Sequence, residues 1–155
     1  MRERADASVE AAAVAMMDAR HVMALATVRA DGWPQNTIVG YANDGMTIYF
    51  LIFRASQKFG NIARDDRVAI AIGEQPSNIH FAEAVYASGR AAEVTDPDEK
   101  EQAWQCLVKR HPNLGGRGMP DASVTALMRA RCEHVSVLDY SKGLGHTDSL
   151  ELSQG

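Results

Sequence analysis

The sequence predicts a single, mainly β domain: a small antiparallel barrel of six strands with peripheral helices. Three observations carry that expectation. Turn signals at Asp31-Gly32 and Asn43-Asp44-Gly45 separate short apolar runs early in the chain. The clearest stretch of helical period, residues 95–111, comes late rather than between successive strands. No repeat, low-complexity tract or linker divides the 155 residues, so residues 1–155 form one domain with one core. Short meanders followed by a late helix favour a small barrel over a doubly wound sheet.

In chain order, residues 6–19 are rich in Ala and Met, and Asp6 or Ser8 can cap them, so they read as a packing helix. HVMALATVR (21–29), QNTIVGYA (35–42) and MTIYFLIF (46–53) form a three-strand meander around the two turns. RVAIAIG (67–73) is apolar enough for a buried strand, and AVYASGRAAEV (84–94) continues the β pattern with a glycine that suggests a bulge. In residues 95–111, Thr95 or Asp96 can cap, Pro97 suits the first turn, acids lead and Lys109, Arg110 and His111 close, which complements a helix dipole. Pro112 ends this helix. ASVTALMRARC (122–132) reads as a second, shorter helix, HVSVLDY (134–140) as the sixth strand, and the tail from Ser141 shows no core pattern.

Composition narrows the function. With 46% hydrophobic and 23% charged residues and a formal charge of −4, the chain has the profile of a soluble globular protein and no electrostatic reason to seek nucleic acid. Cys106 and Cys132 lack zinc-site spacing and fit free thiols in a reducing cytosol, so no metal is expected. No stretch approaches the ~20 apolar residues of a membrane span, and the N-terminus lacks a signal core. A cytoplasmic protein without a membrane partner is the expectation.

One segment carries chemistry. In YFLIFRASQKFGNIARDDRVAIAI (49–72), a strand ends near Phe53, Ser56 stands at a helix N-cap, and Lys58 follows two residues later. The first N–H groups of such a helix are free to meet an anion, and a hydroxyl, an ammonium and the upstream Arg54 add to that field. The same residues also suit a plain cap and a solvated lysine. His21 and His134 at strand starts, His80 in a loop and His111 at a helix end read as structural. His146 follows Gly143-Leu144-Gly145, where a close-approaching chain ends in an imidazole, and is a candidate to face a ligand. Trp104 and Cys106 read as packing residues on the late helix.

The ordered set "LATV…DG…P", a polar-to-apolar second strand, an apolar third strand, Ser56-x-Lys58-x-x-Asn61 and a buried fourth strand resembles the FMN-binding split-barrel family, often called pyridoxamine 5′-phosphate oxidase-like. The resemblance covers about residues 20–94, with a weaker echo from Tyr140 to His146. It implies a split β-barrel homodimer that binds two FMN at its interface and oxidises or reduces a small organic molecule. It further implies that Asn36, Thr37, Ile38 and Val39 run along the isoalloxazine edge, that Tyr49, Phe50 and Leu51 border it, and that Ser56, Gln57 and Lys58 hold the phosphate. Relatives of the fold that use a deazaflavin or haem, or that bind flavin without turnover, are the alternatives. The family's substrate-recognising Arg-His-Asp tail is replaced here by DYSKGLGHTDSLEL, and the Gln and Arg of its fifth strand by Ala84-Val85-Tyr86-Ala87.

Overall fold

The computed structural model describes residues 2–74 and 76–152. Helix α1 (Arg2–Asp18) leads into β1 (Val22–Val28), β2 (Pro34–Asp44) and β3 (Thr47–Phe53). A short helix α2 (Gln57–Arg64) precedes β4 (Arg67–Glu74) and β5 (Glu83–Glu93). Then come α3 (Pro97–Arg110), the long β6 (Thr125–Asp139) and β7 (Thr147–Glu151). All strand pairs are antiparallel, in the order β3-β2-β1-β4-β5-β6-β7, and β3 also pairs with β6. That second pairing closes six strands into a barrel and leaves β7 as an extra strand.

Two sequence expectations are corrected. Residues 122–132 are not a helix: from Thr125 they form the first half of β6, which continues through residues 134–139 as one strand. Alanine, methionine and arginine give this segment local helix propensity, but it lies between β3 and β5 and hydrogen-bonds to both. Ala126, Met128, Ala130 and Cys132 point into the barrel, so period-two burial decides the outcome. The tail is the second correction, since β7 adds to the β6 edge beyond the end of β3 and buries Leu150. Its last three residues, 153–155, lie outside the described part.

Elsewhere the capping chemistry places the ends. Asp96 accepts a hydrogen bond from Glu99 N at 2.9 Å and Pro97 starts α3, while Ser56 caps α2. The barrel interior is filled by alternating residues such as Met23, Leu25, Phe50, Ile70, Ile72, Val85 and Val137. A second cluster, with Tyr49, Ala103, Leu107 and Leu127, fixes α3 to the outside of the barrel.

Two phenols are sealed in these layers. Tyr41 donates to Met17 O at 2.6 Å and Tyr49 to Glu99 Oε2 at 3.1 Å. Burial pushes each up to about 12, aided at Tyr49 by the Glu99 carboxylate and opposed at Tyr41 by Arg110 and Arg20. Unfolded tyrosine ionises near pH 10, so folding favours the neutral phenols. Their stabilisation is intact below pH 10 and is lost between pH 10 and 12, at up to about 1.4 kcal/mol per pH unit for each. Titration at 295 nm should therefore show a late phenolate step near pH 12 that loses one equivalent in Tyr41→Phe and one in Tyr49→Phe. An unchanged late step in both variants would contradict the burial described.

Candidate functional site

The barrel is open along part of one seam. β2 pairs with β1 from Pro34 to Gly40, but with β3 only over Tyr41–Asp44. Hydrogen bonds from Tyr41 N to His21 O (3.1 Å) and from Arg29 N to Trp33 O (2.9 Å) set the phase of the β1–β2 ladder. In an antiparallel ladder that phase aims the backbone groups of residues 35, 37 and 39 at β1. The N–H and C=O groups of Asn36 and Ile38 therefore point into the open seam. Thr37 lies on the inward face of β2 with Val39, and its Oγ1 is buried without a hydrogen-bond partner. A buried hydroxyl left unpaired costs about 1–3 kcal/mol.

α2 adjoins the lower end of this seam. Gln35 donates to Gln57 Oε1 at 3.0 Å, and the buried Asn61 amide donates to Thr27 Oγ1 (3.0 Å) and Gln35 Oε1 (3.1 Å). This network ties the helix N-terminus to the start of β2. Ser56 Oγ accepts from Phe59 N at 3.3 Å and donates to Phe53 O at 2.6 Å, so the hydroxyl first of all shapes the corner. Among the described residues Lys58 has no ion pair. Arg54 is committed elsewhere: it grips Glu93 at 2.7 and 2.8 Å, donates to Ala122 O and lies over the Phe59 ring. That clamp holds the Glu93 carboxyl below the usual carboxylate range. Arg54 is thus not the free cation suggested by its position in sequence.

The outer face beside Asn36 is unusually small-grained. Ala24, Ala26, Ala69 and Ala71 floor a trough of about 350 Å³, rimmed by Asn36, Ser136 and His134. It continues into an apolar trough of about 730 Å³ past Val22, Ile38 and Tyr86. Ile38 is 71% exposed, high for an isoleucine in the middle of a strand.

Asn36, Thr37 and Ile38 lie on the stretch of β2 beside the seam, Asn36 and Ile38 with outward side chains and Thr37 with an inward one. Ser56, Gln57 and Lys58 lie at the start of α2, which Gln35 ties to β2. Val39 faces the barrel interior. Phe50 is wholly inside the barrel and Tyr49 lies under α3, so of the β3 trio only Leu51 keeps a partly accessible side chain. His146 pairs with Asp148 at 3.0 Å in the β6–β7 connection. That connection sits by the Glu74–Glu83–Asp139 end of the sheet, whereas α2 precedes the Arg67 end of β4. Sequence reading passed over Gln35 as a partner of Gln57 and Asn61, because its role depends on a contact across 22 residues.

A six-stranded antiparallel barrel opened beside a strand-to-helix corner is a split barrel, the class implied by the sequence motifs. The chain belongs to the pyridoxamine 5′-phosphate oxidase family, whose model matches residues 9–139. No curated protein sequence matches it. Among solved structures, a heme binding protein from Mycobacterium smegmatis is similar with a TM-score of 0.77 at 24% identity, over 94% of this chain and 57% of that one. The chain thus spans little more than half of that protein. A conserved hypothetical protein from Mycobacterium tuberculosis gives a TM-score of 0.69 at 22% identity, over 94% and 90% of the two chains. A FAD-binding protein from Mesorhizobium loti gives 0.64 at 22% identity, over 81% and 90%. These likenesses establish the shared fold. Among the described residues, no helix is long and apolar enough to cross a membrane.

Proposed function

We propose that this chain is an FMN-binding oxidoreductase that acts on a small organic molecule, with the flavin at the interface of a homodimer. The observation that carries the reading is the open seam, where the backbone edge of Asn36 and Ile38 lies beside α2, capped at Ser56 and tied to β2 through Gln35. A flavin needs hydrogen-bond donors and acceptors along a planar ring and an anion site one ribityl chain away. The seam residues fit the ring, and the N–H groups of Gln57 and Lys58 with the Lys58 ammonium fit the phosphate. When bound, FMN would supply the electron-transfer chemistry. The protein's part is to bind and orient the ring and to exclude water. β3 contributes through its backbone, since the side chains of Tyr49 and Phe50 are occupied and that of Leu51 packs toward α3.

The alanine-floored outer face supports the homodimer. Small side chains let a second sheet approach closely, and exposed Ile38, Val22 and Tyr86 would otherwise meet water. Under two-fold symmetry the face is self-complementary. His146, remote from its own chain's phosphate corner, would then serve the partner's site.

The visible spectrum of protein purified without added cofactor tests the proposal. Flavin bands near 370 and 450 nm, and release of a chromophore with the mass of FMN, are expected. A Soret band, a deazaflavin mass or a colourless protein that fails to take up FMN would reject it. The FMN-loaded protein is also expected not to oxidise pyridoxamine or pyridoxine phosphate, because DYSKGLGHTDSLEL replaces the substrate tail of the oxidases proper. Formation of pyridoxal phosphate at an enzymatic rate would overturn that expectation.

A further inference from the structure

A separate pocket of about 500 Å³ opens where the seam ends, between Gly40 on β2, Leu51 on β3 and the last turn of α3 with the Pro112–Arg117 turn. His21 and His111 line it with rings edge to face, 5.9 Å apart, and Leu107 and Leu114 add apolar surface. An Arg-His pair beside a cavity suggests an anion site, but three observations oppose that reading.

The Arg110 guanidinium is already consumed. It donates to Met17 O and Arg20 O at 2.9 Å and to Asn43 Oδ1 at 2.9 Å, and Asp18 lies 3.7 Å away. The pocket also sits at the C-terminal end of α3, where the helix dipole disfavours negative charge. His111, finally, presents a hydrogen-bond acceptor to a ligand in its uncharged form. Its Nε2 lies 2.8 Å from the Tyr41 carbonyl, which can only accept, so Nε2 carries a proton and, of the two neutral tautomers, the one that fits leaves the lone pair on Nδ1. Nδ1 has no partner among the described residues. A cation is no better served, since no carboxylate lines the pocket.

We propose that this pocket binds an uncharged, planar heteroaromatic molecule bearing an N–H donor, such as an amide or lactam, which gives that hydrogen to His111 Nδ1 and lies against Leu51 and Leu107. Gly40 leaves the room for it: a Cβ there would stand 3.6 Å from the His111 ring, and anything longer would enter the cavity. As the substrate site the pocket rests on the flavin reading above; as a neutral-ligand pocket it does not.

Nicotinamide and nicotinate, nearly equal in shape and differing in charge, are the probes. Ligand-observed NMR titration of the full chain as purified should show nicotinamide binding at least about tenfold more tightly than nicotinate. His111→Phe, which keeps the ring but removes the acceptor, should weaken nicotinamide by about tenfold. Gly40→Leu, which fills the cavity and leaves the imidazole intact, should abolish its binding. Tighter binding of nicotinate, no binding of either probe, or full nicotinamide affinity in folded Gly40→Leu would overturn the proposal. The flavin reading is judged by the spectrum alone, so each can fail without the other.

Discussion

Combining Ser56→Ala with Lys58→Ala is expected to lower FMN affinity by well over tenfold while the barrel stays folded. Charge-assisted hydrogen bonds to a phosphate contribute roughly 1.5–3 kcal/mol each, and every ~1.4 kcal/mol is a factor of ten. Lys58 has no ion pair among the described residues, so its removal breaks no internal charge pair. Ser56 differs, because its hydroxyl caps α2 and is hydrogen-bonded to Phe53 O. Losing a serine cap costs about 1 kcal/mol of helix stability, which by itself could loosen the corner. Ser56→Asp separates the two effects. Aspartate accepts from Phe59 N as serine does, although it cannot donate to Phe53 O, and it places a carboxylate where the phosphate would sit, so it should keep the helix cap and still abolish flavin binding. Fluorescence titration of the three proteins decides the matter. If Ser56→Asp binds FMN as tightly as the parent chain, the corner is only a cap.

How much of this was legible in sequence depended on whether the signal was local. Ser56, Asp96 and Pro97 announce helix starts through their own side chains, and the structure has those starts. The two glycine turns likewise fixed the first three strands. β6 was misread because its fate is set by two neighbours far away in sequence, and β7 because one buried leucine in five residues leaves no pattern. The motif Ser-x-Lys-x-x-Asn could be seen, but not what Asn61 does, which is to bridge Thr27 and Gln35. The open seam depends on where β3 diverges from β2, a property of register that composition does not record. The His21–His111 pocket was hidden for the same reason: each histidine reads as ordinary alone, and their approach joins the start of β1 to the end of α3.

The bulge is the case where one glycine governs the geometry of the trough, and Gly89→Ala should be the most damaging single substitution considered. Ser88 pairs with His134 but Gly89 with Cys132, so Glu133 is the extra residue of β6. Before it, residues 126, 128, 130 and 132 face the core; after it, Val135 and Val137 do. Because side chains alternate, that one insertion reverses the phase of the strand and turns His134 and Ser136 outward to rim the trough beside Asn36. The backbones approach so closely at this point that a Cβ on Gly89 would lie 1.9 Å from Arg131 O and 2.9 Å from Cys132 Cα. These are main-chain atoms in paired strands and cannot swing aside as a side-chain end could. Alanine must then either part β5 from β6 or erase the bulge, which would drive His134 into the core. A loss of about 3 kcal/mol or more is expected, corresponding to a fall in melting temperature of roughly 6–12 °C for a chain of this size. Gly60→Ala is the matched control, since a Cβ there meets nothing within 4 Å and the position is helical. It should be neutral or raise stability by up to about 1 kcal/mol. Equal melting temperatures for Gly89→Ala and the parent chain would show that β5 and β6 do not run in the register described, and the outward placement of His134 and Ser136 would fall with it.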